Sequence, residues 1–222
     1  MRTAYFLNEK IPQVLAGNIL CPEIPELLKA VWGMTTPTIL GIINAAVSCM
    51  EGDEIYLEIG CFQGASVIGA LVGNDKRAVA VDNFCEFTET NSNEKLIENL
   101  RAYGMEERVA FYPQDFRQFF KHNKVPMKVG VYYYDGAHDY ASEYEGLLAG
   151  LPYLVDGGLI LVDDINWGDP THALRDFINS YRNEVIDVFT VRNTIGPGHP
   201  QSWNGFSVLA WHMNEAFEHA KG

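Results

Sequence analysis

Short apolar runs alternate with stretches of helical periodicity along most of the chain. Residues 55–59, 78–81, 109–112, 129–134 and 159–162 each read as a strand. Their nearly unbroken apolarity, in place of strict alternation, predicts a sheet covered on both faces. Between them lie helical patterns. One covers 65–72. A second covers 94–103, with Leu96, Ile97, Leu100 and Tyr103 expected on one buried face and Gly104 as the stop. A third covers 140–148, with Tyr144, Leu147 and Leu148 at helical spacing, and Asp139 reads as its N-cap. A fourth opens at Asp169-Pro170, a cap followed by proline at the first helical position, and carries Leu174, Phe177, Ile178 and Tyr181. Strand–helix repetition of this kind predicts a doubly wound α/β sheet.

The two flanks break the rhythm. Residues 1–50 contain no strand run. Thr36-Pro37 starts a helix whose apolar face is Ile39, Ile43, Ala46, Val47 and Met50, so this segment is expected to be a helical lid or brace of the same domain. Residues 51–222 form the α/β part, ending in two strand runs at 185–191 and 206–211. The loop between them, through Ile195 to Pro200, is too long for a tight hairpin.

Composition narrows the classes. The 222 residues fit one domain with a substantial core, and 47% hydrophobic content argues against disorder. Sixteen Lys+Arg against 29 Asp+Glu give a formal charge of −13, which argues against a phosphate-backbone partner. No apolar run approaches the ~18 residues of a membrane span, and the N-terminus does not read as a signal peptide. Four cysteines without Cys-x-x-Cys spacing are expected to be reduced thiols of a cytoplasmic protein.

Ligands of open α/β sheets bind beyond the carboxyl ends of the strands. All five strands deliver an acid there: Glu58, Asp82, Asp115, Asp135, and Asp163 with Asp164. A lone acid at such a place is most simply a helix cap; so many on one rim would repel one another, which points to a cationic ligand. Gly60 and Gly64 in the first strand–helix turn let backbone pass close to that ligand, although the central Gly-x-Gly of a dinucleotide fingerprint is missing. Asp82 lies 82 − 60 = 22 residues beyond Gly60, near the spacing of an acid that hydrogen-bonds ribose hydroxyls. Together they point to an adenosine-type cofactor.

Glu58-x-Gly60-x-x-x-Gly64-x-Ser66, with Asp82 ending the next strand, resembles the first two motifs of class I S-adenosylmethionine-dependent methyltransferases. Tyr134-Asp135-Gly136-Ala137-His138 and the segment from Gly157 to Asp164 resemble the metal-dependent O-methyltransferases, which include the catechol, caffeoyl-CoA and antibiotic-sugar enzymes. The resemblance covers about residues 55–211. It implies a seven-stranded Rossmann-like sheet with its last strand antiparallel. It also implies that Glu58, Gly60 and Ser66 line the methionine end of the cofactor, that Asp82 holds the ribose, and that Gln114, Asp115 and Phe116 edge the adenine; Gly64 and Asp135 complete the expected cofactor-binding residues. Asp135, Asp163 and Asp164 match its metal positions, and three oxygen ligands without Cys or clustered His suit Mg²⁺ or Ca²⁺ rather than zinc.

Two positions depart from the catechol enzymes, which have Asn where this chain has Asp164 and Lys where it has His138. A neutral imidazole beside a metal-bound hydroxyl suits a catalytic base, and equally His138 is a residue that packs beside the helix after it. Other features carry two readings as well. The run Tyr132-Tyr133-Tyr134 reads as filler for the two faces of a central strand, against a sulfonium cage. Trp167 is a candidate acceptor wall or a packing residue. Trp203 and His199 lie in the long loop over the rim, His199 as ordinary surface. Glu86, Glu89 and Glu94 read as a solvated face.

The expectation is thus an S-adenosylmethionine-dependent enzyme methylating a hydroxyl of a small molecule with a divalent metal. A homo-oligomer is left open, and neither nucleic acid nor membrane is expected as a partner. A non-catalytic cofactor-binding sensor or partner subunit, and a NAD(P)-dependent oxidoreductase on a related sheet, stay open beside it.

Overall fold

The computed structural model describes residues 2–18, 21–122, 128–194 and 196–214. Ile195 of the long C-terminal loop lies outside them. Seven strands form one sheet in the order β3-β2-β1-β4-β5-β7-β6: β1 (Ile55–Ile59), β2 (Arg77–Val81), β3 (Val109–Tyr112), β4 (Val129–Tyr134), β5 (Leu154–Asp163), β6 (Val185–Val191) and β7 (Phe206–Trp211). The first five pair in parallel, whereas β7 runs antiparallel between β5 and β6. β1, β4 and β7 are buried along their whole length, as continuous apolar strands between two helical layers must be. No helix among the described residues is long and apolar enough to cross a membrane.

Helices α5 (Ala65–Leu71), α6 (Ser92–Ala102), α7 (Phe116–His122), α8 (Tyr140–Gly150) and α9 (Gly168–Ser180) connect the strands. In α6 the buried apolar residues are Leu96 and Leu100, one turn apart, while Ile97 is 40% exposed. That corrects the four-residue face expected from the sequence: Ile97 follows Leu96 by 100° and lands at the solvent edge of the stripe. Asp139 caps α8, accepting from Ser142 N at 3.0 Å. Asp169, expected as a cap, instead lies inside the first turn of α9, which starts at Gly168. The three tyrosines of β4 alternate: the Tyr132 and Tyr134 hydroxyls pin α8 through Gly146 O (2.7 Å) and Ser142 O (2.9 Å), and Tyr133 faces the other way.

The N-terminal part is helical. α1 (Arg2–Tyr5) continues through a π turn into α2 (Ile11–Leu15), followed by α3 (Ile24–Ala30) and α4 (Pro37–Ser48). Thr36 caps α4, accepting from Ile39 N at 3.1 Å, with Pro37 at its first position. Ile39, Ile43, Ala46, Val47 and Met50 are all buried, in one apolar cluster with α5 and the strands. Asn44, buried in that interface, donates to the carbonyls of Gly69 and Val72 at 2.8 Å, satisfying the C-terminal end of α5.

Candidate active site

The strand order reverses between β1 and β4, so a crevice opens beyond their carboxyl ends. Here the two strand ends nearly touch. Asp135 N donates to Ile59 O at 2.8 Å, and a Cβ on Gly60 would stand 1.8 Å from Asp135 O. Gly60, at φ +84°, is therefore fixed by space as well as by conformation. A cleft of about 300 Å³ starts at this point.

Asp82 ties the turn together. Its Oδ2 accepts from Cys61 N (2.9 Å) and Phe62 N (2.8 Å), and its Oδ1 from Phe84 N (2.7 Å). A carboxylate offers about four acceptor positions, so roughly one remains for a ligand in the cleft it lines. The turn behind it is strained. Phe62, Phe84, Phe87, Asn91, Asp164 and Trp203 are the described non-glycine residues at positive φ, and all but Asn91 line the cleft. Backbone strain of about 1–3 kcal/mol per residue persists only where surrounding structure enforces it, characteristically at ligand sites. Phe62 is braced by aromatic edges, with Trp32 and Phe87 at 5.0 and 5.4 Å between ring centroids.

Glu58 and Gly64 stand behind the wall. Glu58 is fully buried; Ser66 donates to its Oε1 and Tyr56 to its Oε2 at 2.6 Å. Burial pushes its carboxyl up to about 8, against the pull of those two hydroxyls. Ser66 itself lines the cleft. At the other end Gln114, Asp115 and Phe116 line it too. Asp115 is partly engaged, accepting from Arg117 N at 2.8 Å, whereas Gln114 Nε2 is buried without a partner. Thr35 Oγ1 is a second orphaned polar atom on this wall, carried by the segment that enters α4. In a cleft, such buried polar atoms are ones that a bound molecule can satisfy.

The acids of β4 and β5 form the third side. Asp163, 7% exposed, accepts from Tyr133 Oη at 2.5 Å and from Asp164 N at 2.8 Å; burial and the Asp164 charge push it up to about 7. Tyr133 Oη also lies 3.2 Å from Asp135 Oδ2. Burial, then the charges of Asp163 and Asp164, hold the Asp135 carboxyl well above its ordinary value. Asp164, at φ +54°, faces His138 Nε2 at 3.2 Å and accepts from Asn204 Nδ2 at 2.6 Å. The His138 ring stands edge-on to Trp167 at 4.8 Å.

Ligand atoms of Asp135, His138 and Asp164 come within 4.8 Å of one another, a spacing that fits one divalent cation. The three aspartates expected from the sequence are thus all at the rim, but it is His138 that converges with Asp135 and Asp164. The oxygens of Asp163 point to Tyr133 and to backbone. Sequence reasoning missed Thr35, the Tyr133 hydroxyl and Asn204. The signal for Tyr133 was available in the parity of β4, which turns residue 133 to the same side as residue 135.

Residues 57–165 match the family model described as a methyltransferase domain. No curated protein matches the sequence. The fold resembles that of the O-methyltransferase from Bacillus cereus in complex with SAH, with TM-score 0.63 and 15% identity over 84% of this chain and 90% of that one. It also resembles O-methyltransferase TomG from Streptomyces achromogenes, involved in tomaymycin synthesis and in complex with SAM, with TM-score 0.64 and 12% identity over 90% of each chain. An rRNA methylase from Streptococcus thermophilus is similar too, with TM-score 0.58 and 13% identity over 78% of this chain and 96% of that one. At these identities the likeness is one of fold.

Proposed function

We propose, for a chain that carries a methyltransferase domain of the class I fold, that its cleft binds S-adenosylmethionine and directs methyl transfer to a hydroxyl of a small molecule. The observation that carries this reading is the orphaned Gln114 amide in a cleft that begins where Gly60 passes Asp135. Gln114 would donate to the adenine, the free position on Asp82 would accept from the ribose, and Ser66 and Thr35 would border the methionine end. S-Adenosylmethionine, when bound, supplies an activated methyl whose thioether leaving group needs little acid assistance.

Asp135 and Asp164 would hold a divalent cation, which when bound would supply Lewis acidity that lowers the pKa of an acceptor hydroxyl. The residues of this chain then have separable tasks. Asp164 orients the imidazole of His138, and His138 takes the proton of the acceptor hydroxyl. Trp167 and Trp203 wall the acceptor's side and exclude water. Positioning of this kind supplies most of the acceleration when the leaving group is already good.

A second reading makes His138 the third cation ligand, favoured by the convergence of its ring nitrogen with the two carboxylates. His138→Ala separates the two. As the base, it would leave Mn²⁺ affinity within about threefold; as a ligand, it would lose about 100-fold or more. The function itself is tested by mass spectrometry of molecules released from purified protein and by methyl transfer to hydroxyl acceptors. Cofactor binding with no transfer to any acceptor, hydroxyl, amine or thiol, would favour the sensor or partner-subunit alternative.

A further inference from the structure

The long loop between β6 and β7 returns to the sheet through Ser202 to Gly205, and there it is locked. Asn204 O accepts from Asn166 N at 3.0 Å, Gly205 N donates to Ser202 O at 2.8 Å, and a Cβ on Gly205 would stand 2.8 Å from Asn166 Oδ1. Asn204 is 1% exposed, and its side-chain amide donates to Asp164 Oδ1 at 2.6 Å. The other oxygen of Asp164 faces His138 at 3.2 Å. One carboxylate is thus held on one side by the loop and on the other by the imidazole.

We propose that Asn204 is a positioning residue: by donating to one Asp164 oxygen, it presents the other to His138 and to the cation between Asp135 and Asp164. This rests on the cation reading given above. Asp164 occupies a left-handed backbone conformation, so its side-chain direction is not set by a relaxed strand and needs a partner to fix it. Asn204 supplies that partner from a segment whose neighbours Trp203 and Pro197 line the same cleft. The acceptor's wall and the orientation of Asp164 are therefore carried by one loop. Partners that orient metal ligands typically control 10–100-fold in metal affinity.

The test is a double-mutant cycle on Mn²⁺ binding, read by electron paramagnetic resonance, with S-adenosylhomocysteine affinity and thermal melting measured alongside. Asn204→Ala is expected to weaken Mn²⁺ binding 10–100-fold in the native chain and less than twofold in Asp164→Ala, because its effect passes through Asp164. Asn204→Leu keeps the size, removes the donor without adding charge, and should weaken binding at least as much. S-Adenosylhomocysteine affinity should stay within about twofold throughout. Equal losses in both backgrounds, unchanged Mn²⁺ binding, or failure of both Asn204 variants to melt cooperatively overturns the proposal. A native chain that binds S-adenosylhomocysteine but not Mn²⁺ overturns it together with the cation reading. A non-additive cycle in a chain that ignores S-adenosylhomocysteine leaves Asn204 in its role and removes the cofactor reading.

Discussion

The Tyr133 hydroxyl lies 2.5 Å from Asp163 Oδ2, and that contact separates an acid of the rim from the cluster able to hold a cation. One buried phenol holds Asp163 while standing within reach of Asp135 at 3.2 Å. Tyr133→Phe keeps the ring against Phe206 but removes the donor from a carboxylate that is almost completely buried. It should lower stability by about 1–3 kcal/mol, measured by urea unfolding. Mn²⁺ binding should weaken by roughly tenfold, with S-adenosylhomocysteine affinity nearly unchanged. Unchanged Mn²⁺ binding would make Tyr133 a core residue only.

Glu58 gives the apo protein a pH dependence of definite sign. Burial raises its folded value from 4.5 to about 8, so between those values the folded state binds more protons than the unfolded chain. Stability contributed by the protonated form is therefore present in full below about 4.5 and is lost as the pH rises to about 8. The slope is on the order of 1 kcal/mol per pH unit at most. Unfolding of the native chain should show this decline from pH 6 to 8, and Glu58→Gln should make it shallower, leaving the part carried by the raised Asp163 and Asp135. A native chain whose stability rises over that interval contradicts the assignment.

Much of this architecture was legible in the sequence, for physical reasons. The five apolar runs had to be strands of a doubly covered sheet, and the acids at their ends meet on one rim, apart from Glu58, which is buried behind the wall. The helix over Phe116–His122 was not anticipated: seven residues are too few for a clear helical period, and its cap Asp115, which accepts from Arg117 N at 2.8 Å, stands among the rim acids. Ile97 was misplaced because apolar character does not distinguish the centre of a helix stripe from its edge. The convergence of His138 with Asp164, and the approach of Asn204 across 40 residues, depend on loop geometry that local pattern does not encode.

Gly60→Ala tests the crossing at the bottom of the cleft. The added methyl would meet a carbonyl oxygen of the neighbouring strand end at 1.8 Å, at φ +84°, where no flexible side chain gives way. Loss of about 3 kcal/mol or more is expected, or an insoluble product. Gly52→Ala is the control, since it shares a positive φ with nothing near its Cβ, and it should cost only about 1 kcal/mol. Equal costs at both positions would contradict the close approach.

Asp82→Ala removes the acceptor of three backbone N–H groups at once. The glycine turn should loosen, with stability falling by about 2–4 kcal/mol and S-adenosylhomocysteine affinity by tenfold or more. Calorimetry reads both quantities. Full affinity in the variant would mean that the ribose is held elsewhere.

The account stands most directly on whether this cleft takes the cofactor. Isothermal titration of the native chain with S-adenosylhomocysteine should give one site per chain, and Gln114→Ala should weaken it about tenfold by removing the donor that is otherwise orphaned. Absence of binding heat at several temperatures, with NAD(H) or NADP(H) binding instead, would contradict the account and move the chain to another cofactor class.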